Sequence, residues 1–121
     1  MRAVLLSVML LLPFGSNAQT AQLLMGEEDG CYWCARWNAD IGEIYPKTDK
    51  GALAPLMRIN IRDPLPDGVS LKSKIIYTPT FVLLVDGVEH GRIEGYPGED
   101  FFWGLLSMLM AEANLRGDGS T

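Results

Sequence analysis

The chain has 121 residues and a formal net charge of −5, with two cysteines and one histidine. Its length suits one packed domain rather than two, and its acidic balance disfavours nucleic acid and anionic membrane surfaces as partners. One histidine and two cysteines are also too few for a sulfur-and-imidazole zinc site, which needs four ligands.

The chain opens with Met1-Arg2, a short basic start, followed by an apolar run from Ala3 to Leu12. Pro13 ends the run, and Ser16-Asn17-Ala18 places small residues where a signal peptidase reads. A membrane-spanning helix needs about 20 apolar residues, more than this run supplies. Residues 1–18 therefore read as a cleaved export signal, with the mature domain over 19–116 and a disordered tail over 117–121. An uncleaved N-terminal anchor is the alternative. No other segment is apolar enough to insert the mature chain into a membrane.

Leu23-Leu24-Met25 is a short apolar run expected to form a buried strand, leading into the polar loop Gly26 to Gly30. After Cys31, the positions Cys34, Trp37, Ile41 and Ile44 recur at helical spacing, and Pro46 closes the helix. Asp29 or Gly30 is expected near its N-cap. Arg36 and Asp40 on the opposite face form an i,i+4 ion pair. Leu56 to Ile61 alternates, with Met57, Ile59 and Ile61 on one face and Arg58, Asn60 and Arg62 on the other, as in a half-buried edge strand. A proline-rich loop runs from Asp63 to Ser73. Thr80 to Val85 is apolar on both faces, as in a central strand, and Asp86-Gly87 turns it back through Val88 to Ile93. Glu99-Asp100 open a last helix with a core stripe of Phe102, Leu105, Leu106 and Leu109. The order is a compact α/β arrangement, a βαβ half followed by a ββα half.

Cys31-Tyr32-Trp33-Cys34 is the chemically informative stretch. A disulfide needs Cβ atoms about 3.8 Å apart, whereas i,i+3 neighbours inside a helix sit about 5–6 Å apart. Cys31 at the helix start and Cys34 in the first turn let the backbone adjust. Cys31 there faces unpaired N–H groups, which stabilise a thiolate and make it the nucleophile; Cys34, on the core stripe, is the resolving thiol. Glu27, Glu28 and Asp29 oppose this by repulsion. A purely structural clip is the competing reading, although closing so short a loop stabilises by only about 2 kcal/mol against about 4.7 for a hundred-residue loop. Haem attachment fails because Ala35 stands where histidine is required. Two-thiolate copper(I) binding stays open, and His90 reads as a surface residue. A second cluster, Tyr77-Thr78-Pro79-Thr80-Phe81, sets a proline at the start of the central strand, where it is tolerated.

Taken together, the paired cysteines at a helix start, Thr78-Pro79 before a hairpin, and Gly95-Tyr96 before a last helix resemble the thioredoxin superfamily over nearly all of residues 19–116. The strings around Gly30–Trp37, Arg62–Pro66, Thr78–Leu83 and Glu94–Trp103 are similar to its branch of periplasmic regulatory proteins in bacterial sulfur oxidation. The resemblance implies a thioredoxin-like fold with a four-stranded mixed sheet and a periplasmic thiol–disulfide oxidoreductase. It needs no cofactor beyond its redox-active disulfide and no metal. The resemblance also implies a cis Pro79 beside that disulfide. Thr78 would offer backbone groups to a substrate strand, and Trp33, with Tyr77 and Tyr96, would form an apolar rim; Trp37 would be core. The implied partners are a cysteine-bearing protein such as a sulfur carrier and a membrane thiol-electron donor. A thioredoxin-like copper(I) carrier or non-catalytic binding module, and a reductant in cytochrome c maturation, are the alternatives. Two positions depart from thioredoxins: Gly30 where tryptophan precedes the first cysteine, and Met25 where an aspartate is buried. Rapid general disulfide reduction is therefore not implied.

Overall fold

The computed structural model describes residues 10–11 and 19–115. The expected tail over 117–121 lies outside these residues, as does nearly all of the expected signal over 1–18.

The sheet has four strands: β1 Ala21–Glu27, β2 Leu56–Asn60, β3 Thr80–Val85 and β4 Val88–Glu94. Their order is β2-β1-β3-β4, with β2 parallel to β1 and the other pairs antiparallel. The apolar runs explain the two middle positions. Leu23, Leu24 and Met25 of β1, and Phe81 to Leu84 of β3, have no solvent exposure, because each strand is covered on both faces. The alternating segment takes an edge, as its polar face requires. Asp86 and Gly87 both have positive φ (53° and 80°), the backbone of a tight hairpin turn whose twist matches the strands.

One face of the sheet packs against α1 Tyr32–Trp37 and α3 Glu99–Glu112, with Trp37, Phe81 and Phe102 in mutual aromatic contact at its centre. The other face carries Leu24, Val82 and Leu84. It is covered by Ile75, Val69 and Leu71 of the long loop after β2, together with Met57, Ile59 and Ile61 from the β2 side. The chain is thus a two-layer α/β domain with a loop in place of a third layer.

Three expectations need correction. The first helix does not run regularly to Pro46. A π-helical turn, Asn38–Gly42, follows α1. Its extra residue per turn shifts the phase, so Ile44 is 47 % exposed and the next core residue is Tyr45. After it comes a 3₁₀ turn at Tyr45–Lys47 and a short helix, α2 Asp49–Leu53, absent from the expected order. Thr48 caps α2 by accepting from the Gly51 N–H (3.0 Å), and Gly51 lies so close to the Tyr45 carbonyl that no side chain fits. Finally, the α3 stripe is Phe102, Leu106, Met110 and Ala113, and Leu105 is exposed. Leu109 is partly buried against the core, and Gly91 on β4 leaves room for it (an added Cβ would be 2.6 Å from its Cδ2).

Candidate active site

The two cysteines form a disulfide, with a Cα–Cα separation of 5.2 Å. Cys31 itself, not Asp29 or Gly30, is the N-cap of α1: its backbone is extended (φ −77°, ψ 106°) and its Sγ accepts the Cys34 N–H at 3.1 Å. Lying outside the regular helix is what lets Cys31 reach Cys34. Gly30 supplies the left-handed residue (φ 77°) that turns the chain out of β1 into the cap. The two sulfurs differ in access. Cys34 is 4 % exposed and sits in the core cluster with Met25 and Trp37, whereas Cys31 is only partly buried.

Strand register brings the proline to the same end of the sheet as this pair. Because β1 and β3 are antiparallel with Gly26 opposite Thr80, the end of β1 that leads to Cys31 lies next to the start of β3. The Thr78–Pro79 peptide is cis. Thr78 Oγ1 donates to Glu28 Oε1 at 3.0 Å, Thr80 Oγ1 donates to the Tyr77 carbonyl at 2.6 Å, and the Gly95 N–H donates to the Pro79 carbonyl at 2.7 Å. Cys31, Cys34, Thr78 and Pro79, far apart in sequence, thus converge at one end of the sheet. Neither the N–H nor the C=O of Thr78 has a hydrogen-bond partner among the described residues.

Trp33 is 53 % exposed and meets Tyr32 edge-on (5.0 Å between ring centroids), so the segment between the cysteines presents two aromatics to solvent. A cleft beside them is lined by Trp33, Arg36, Asp40, Tyr96 and Glu99 among others. Tyr77 is exposed, as a rim requires. Tyr96 is buried apart from its contribution to the cleft, and its hydroxyl donates to Asp40 Oδ2 at 2.8 Å. Burial, reinforced by that acceptor, pushes the Tyr96 hydroxyl well above the ordinary tyrosine range. Asp40 also takes the expected ion pair from Arg36 (3.3 Å). Trp37 lies in the core.

Two of the three acids before Cys31 are neutralised. Glu27 pairs with Arg58 (2.6 Å) and Glu28 with Arg62 (3.6 Å), leaving Asp29 exposed. Arg58 lies on β2 and Arg62 in the turn just after it, on the polar side of a segment whose alternation was legible but whose partners were not. Sequence reasoning placed Glu28 near Cys31 but missed its bond to Thr78, and missed Arg58 as a site neighbour, since each depends on a pairing between segments distant in sequence. Among the described residues, no group of three or more His, Cys, Asp or Glu side chains converges, and no helix is long and apolar enough to cross a membrane.

No family model and no curated protein matches the sequence. Among solved structures, the crystal structure of the periplasmic thioredoxin SoxS from Paracoccus pantotrophus, in its reduced form, is similar. It is 54 % identical with a TM-score of 0.76, and the match covers 77 % of this chain and 98 % of that one.

Proposed function

Because this chain belongs to the thioredoxin family and is a thiol–disulfide oxidoreductase, we propose that it acts in the periplasm as the reductant of a specific cysteine-bearing partner. Cys31 is the attacking sulfur and Cys34 the resolving one. The carrying observation is the asymmetry of the pair: an accessible sulfur that receives a backbone N–H, and a buried sulfur directly behind it.

In the reduced protein that N–H remains aimed at Cys31 and favours its thiolate. The thiolate attacks one sulfur of the partner disulfide, forming a mixed disulfide and expelling the other partner sulfur as thiolate. Cys34, once deprotonated, attacks Cys31 Sγ and displaces the partner's remaining sulfur. Two electrons have then passed to the partner, and the Cys31–Cys34 disulfide has formed. The unpaired Thr78 backbone groups hold an extended substrate segment beside the sulfur, Pro79 shapes the turn that presents them, and Trp33 supplies the apolar contact. A membrane thiol-electron donor returns the pair to the dithiol form. Residues 1–18 act as the export signal. The partner reading rests on likeness to the sulfur-oxidation branch: a sulfur carrier kept active by reduction of its cysteine.

Cys34→Ser stalls the reaction at the mixed disulfide. Expressed in a sulfur-oxidising bacterium, the variant is expected to yield one discrete, thiol-sensitive adduct whose partner is the sulfur carrier. A discrete adduct with a different protein would transfer the function to that protein, and the absence of any adduct would refute the reductant reading.

A further inference from the structure

We propose that Glu28 is a positioning residue that locks the substrate-reading turn at Thr78 to the cysteine loop. The proposal rests on the reading of Thr78 given above and adds the element that holds it in register.

Glu28 makes three connections. Its backbone carbonyl accepts the Cys31 N–H (3.4 Å), its Oε1 accepts the Thr78 hydroxyl (3.0 Å), and its Oε2 faces Arg62 at 3.6 Å. The same residue therefore touches the nucleophile's own peptide and the residue before the cis proline. Among the described residues, it is the one side chain that hydrogen-bonds across from the cysteine loop to that turn. The other bonds around the turn, from Thr80 to Tyr77 and from Gly95 to Pro79, fasten it to β3 and β4 but not to the sulfur.

The bond to Thr78 is partly buried, with the Glu28 side chain 29 % exposed. A substrate strand bridging Cys31 and Thr78 needs both at a fixed separation, because its sulfur and its backbone must be satisfied together. Arg62 faces the other carboxylate oxygen from an exposed position, so Oε1 is left for Thr78. The role is geometric: an amide oxygen at the same place performs it, and a methyl group does not.

The test uses the Cys34→Ser protein as parent. A capped peptide of about seven alanine and glycine residues around one cysteine competes with 2-mercaptoethanol for the mixed disulfide with Cys31. Mass spectrometry reads the equilibrium ratio, from which the intrinsic reactivity of Cys31 cancels because both thiols meet the same sulfur. The parent is expected to prefer the peptide beyond the ratio for the free thiols. Glu28→Ala should reduce that preference about tenfold, and Glu28→Gln should keep it within about twofold. Thr78→Val, which removes the same bond from the other side, should match Glu28→Ala, and the double variant should lose nothing more. Unchanged preference in Glu28→Ala, equal damage from Gln and Ala, or additive losses would each overturn the proposal. A parent with no preference for the peptide would instead overturn the Thr78 reading beneath it.

Discussion

Arg58 offers the sharpest test of how the site helix is held to the sheet. From β2 its Nη1 reaches Glu27 at 2.6 Å and the Met25 sulfur at 3.6 Å, and its Nη2 reaches Asn38 Oδ1 at 2.7 Å. The guanidinium carbon stands 5.8 Å from the centroid of Trp37. One planar fork therefore joins two strands to the π turn that follows the cysteines. Its side chain is 43 % exposed, so the ion pair with Glu27 is worth only about 0.2–1 kcal/mol. The charged hydrogen bond to Asn38 adds about 1.5 kcal/mol, and the cation–π contact about 0.5–1 kcal/mol. Methionine keeps part of the aliphatic stem, so Arg58→Met should cost roughly 2–3 kcal/mol. For a domain of about a hundred residues that lowers the melting temperature by about 10–20 °C. Arg58→Lys retains the charge but not the fork, and should lose about half as much. The assay is thermal unfolding of the oxidised protein by circular dichroism, repeated in about 1 M salt, where the ion-pair share is screened and the gap narrows slightly. A lysine variant as stable as wild type would refute the fork argument, because charge alone would then suffice. So would an Arg58→Met loss that vanishes in high salt.

Stability should also respond to acid through Glu89, a buried carboxylate on β4. The hydrogen bond from Arg92 (2.7 Å) holds its titration below the usual carboxylate range, with help from the Lys72 N–H and the two positive charges and against the effect of burial. A depressed folded value stabilises above the ordinary value of 4.5 and is lost as pH falls through the folded one. Glu89→Gln should therefore be less stable than wild type at about pH 7, with the gap closing in acid; denaturant titrations giving a constant gap would contradict this. Trp33→Ala should leave stability within about 0.5 kcal/mol, since the ring is half exposed. It should cut kcat/KM for the partner trapped by Cys34→Ser by about tenfold. A lowered melting point with unchanged kcat/KM would make Trp33 structural instead.

Much of the fold was readable because its signals are local. The alternation of Leu56 to Ile61 announced an edge strand, the doubly apolar Thr80–Val85 a central one, and Asp86-Gly87 the turn between two partners. Where local periodicity was extended too far, it failed: the helix after Cys31 slips phase at Asn38–Gly42, exposing Ile44 and burying Tyr45. Asn38 there accepts from Arg58, a contact that no helical repeat encodes. The short α2 was missed because five residues carry too little periodicity to register, although Thr48 is an ordinary capping residue.

By itself the sequence determined the paired cysteines, their place at a helix start, Pro79 ahead of a strand, and the faces of most strands. These follow from neighbours a few residues apart, where spacing and side-chain chemistry act directly. Only the tertiary structure decided which polar groups meet across segments distant in sequence. Glu28 bonds Thr78, Glu27 and Asn38 share Arg58, and Tyr96 bonds Asp40. For the bonds of Glu27 and Arg58 the reason is register: placing Met25 opposite Arg58 sets them on one face, and a shift of one residue would turn each to the other face. Gly26 opposite Thr80 brings the loops carrying Glu28 and Thr78 to one end of the sheet.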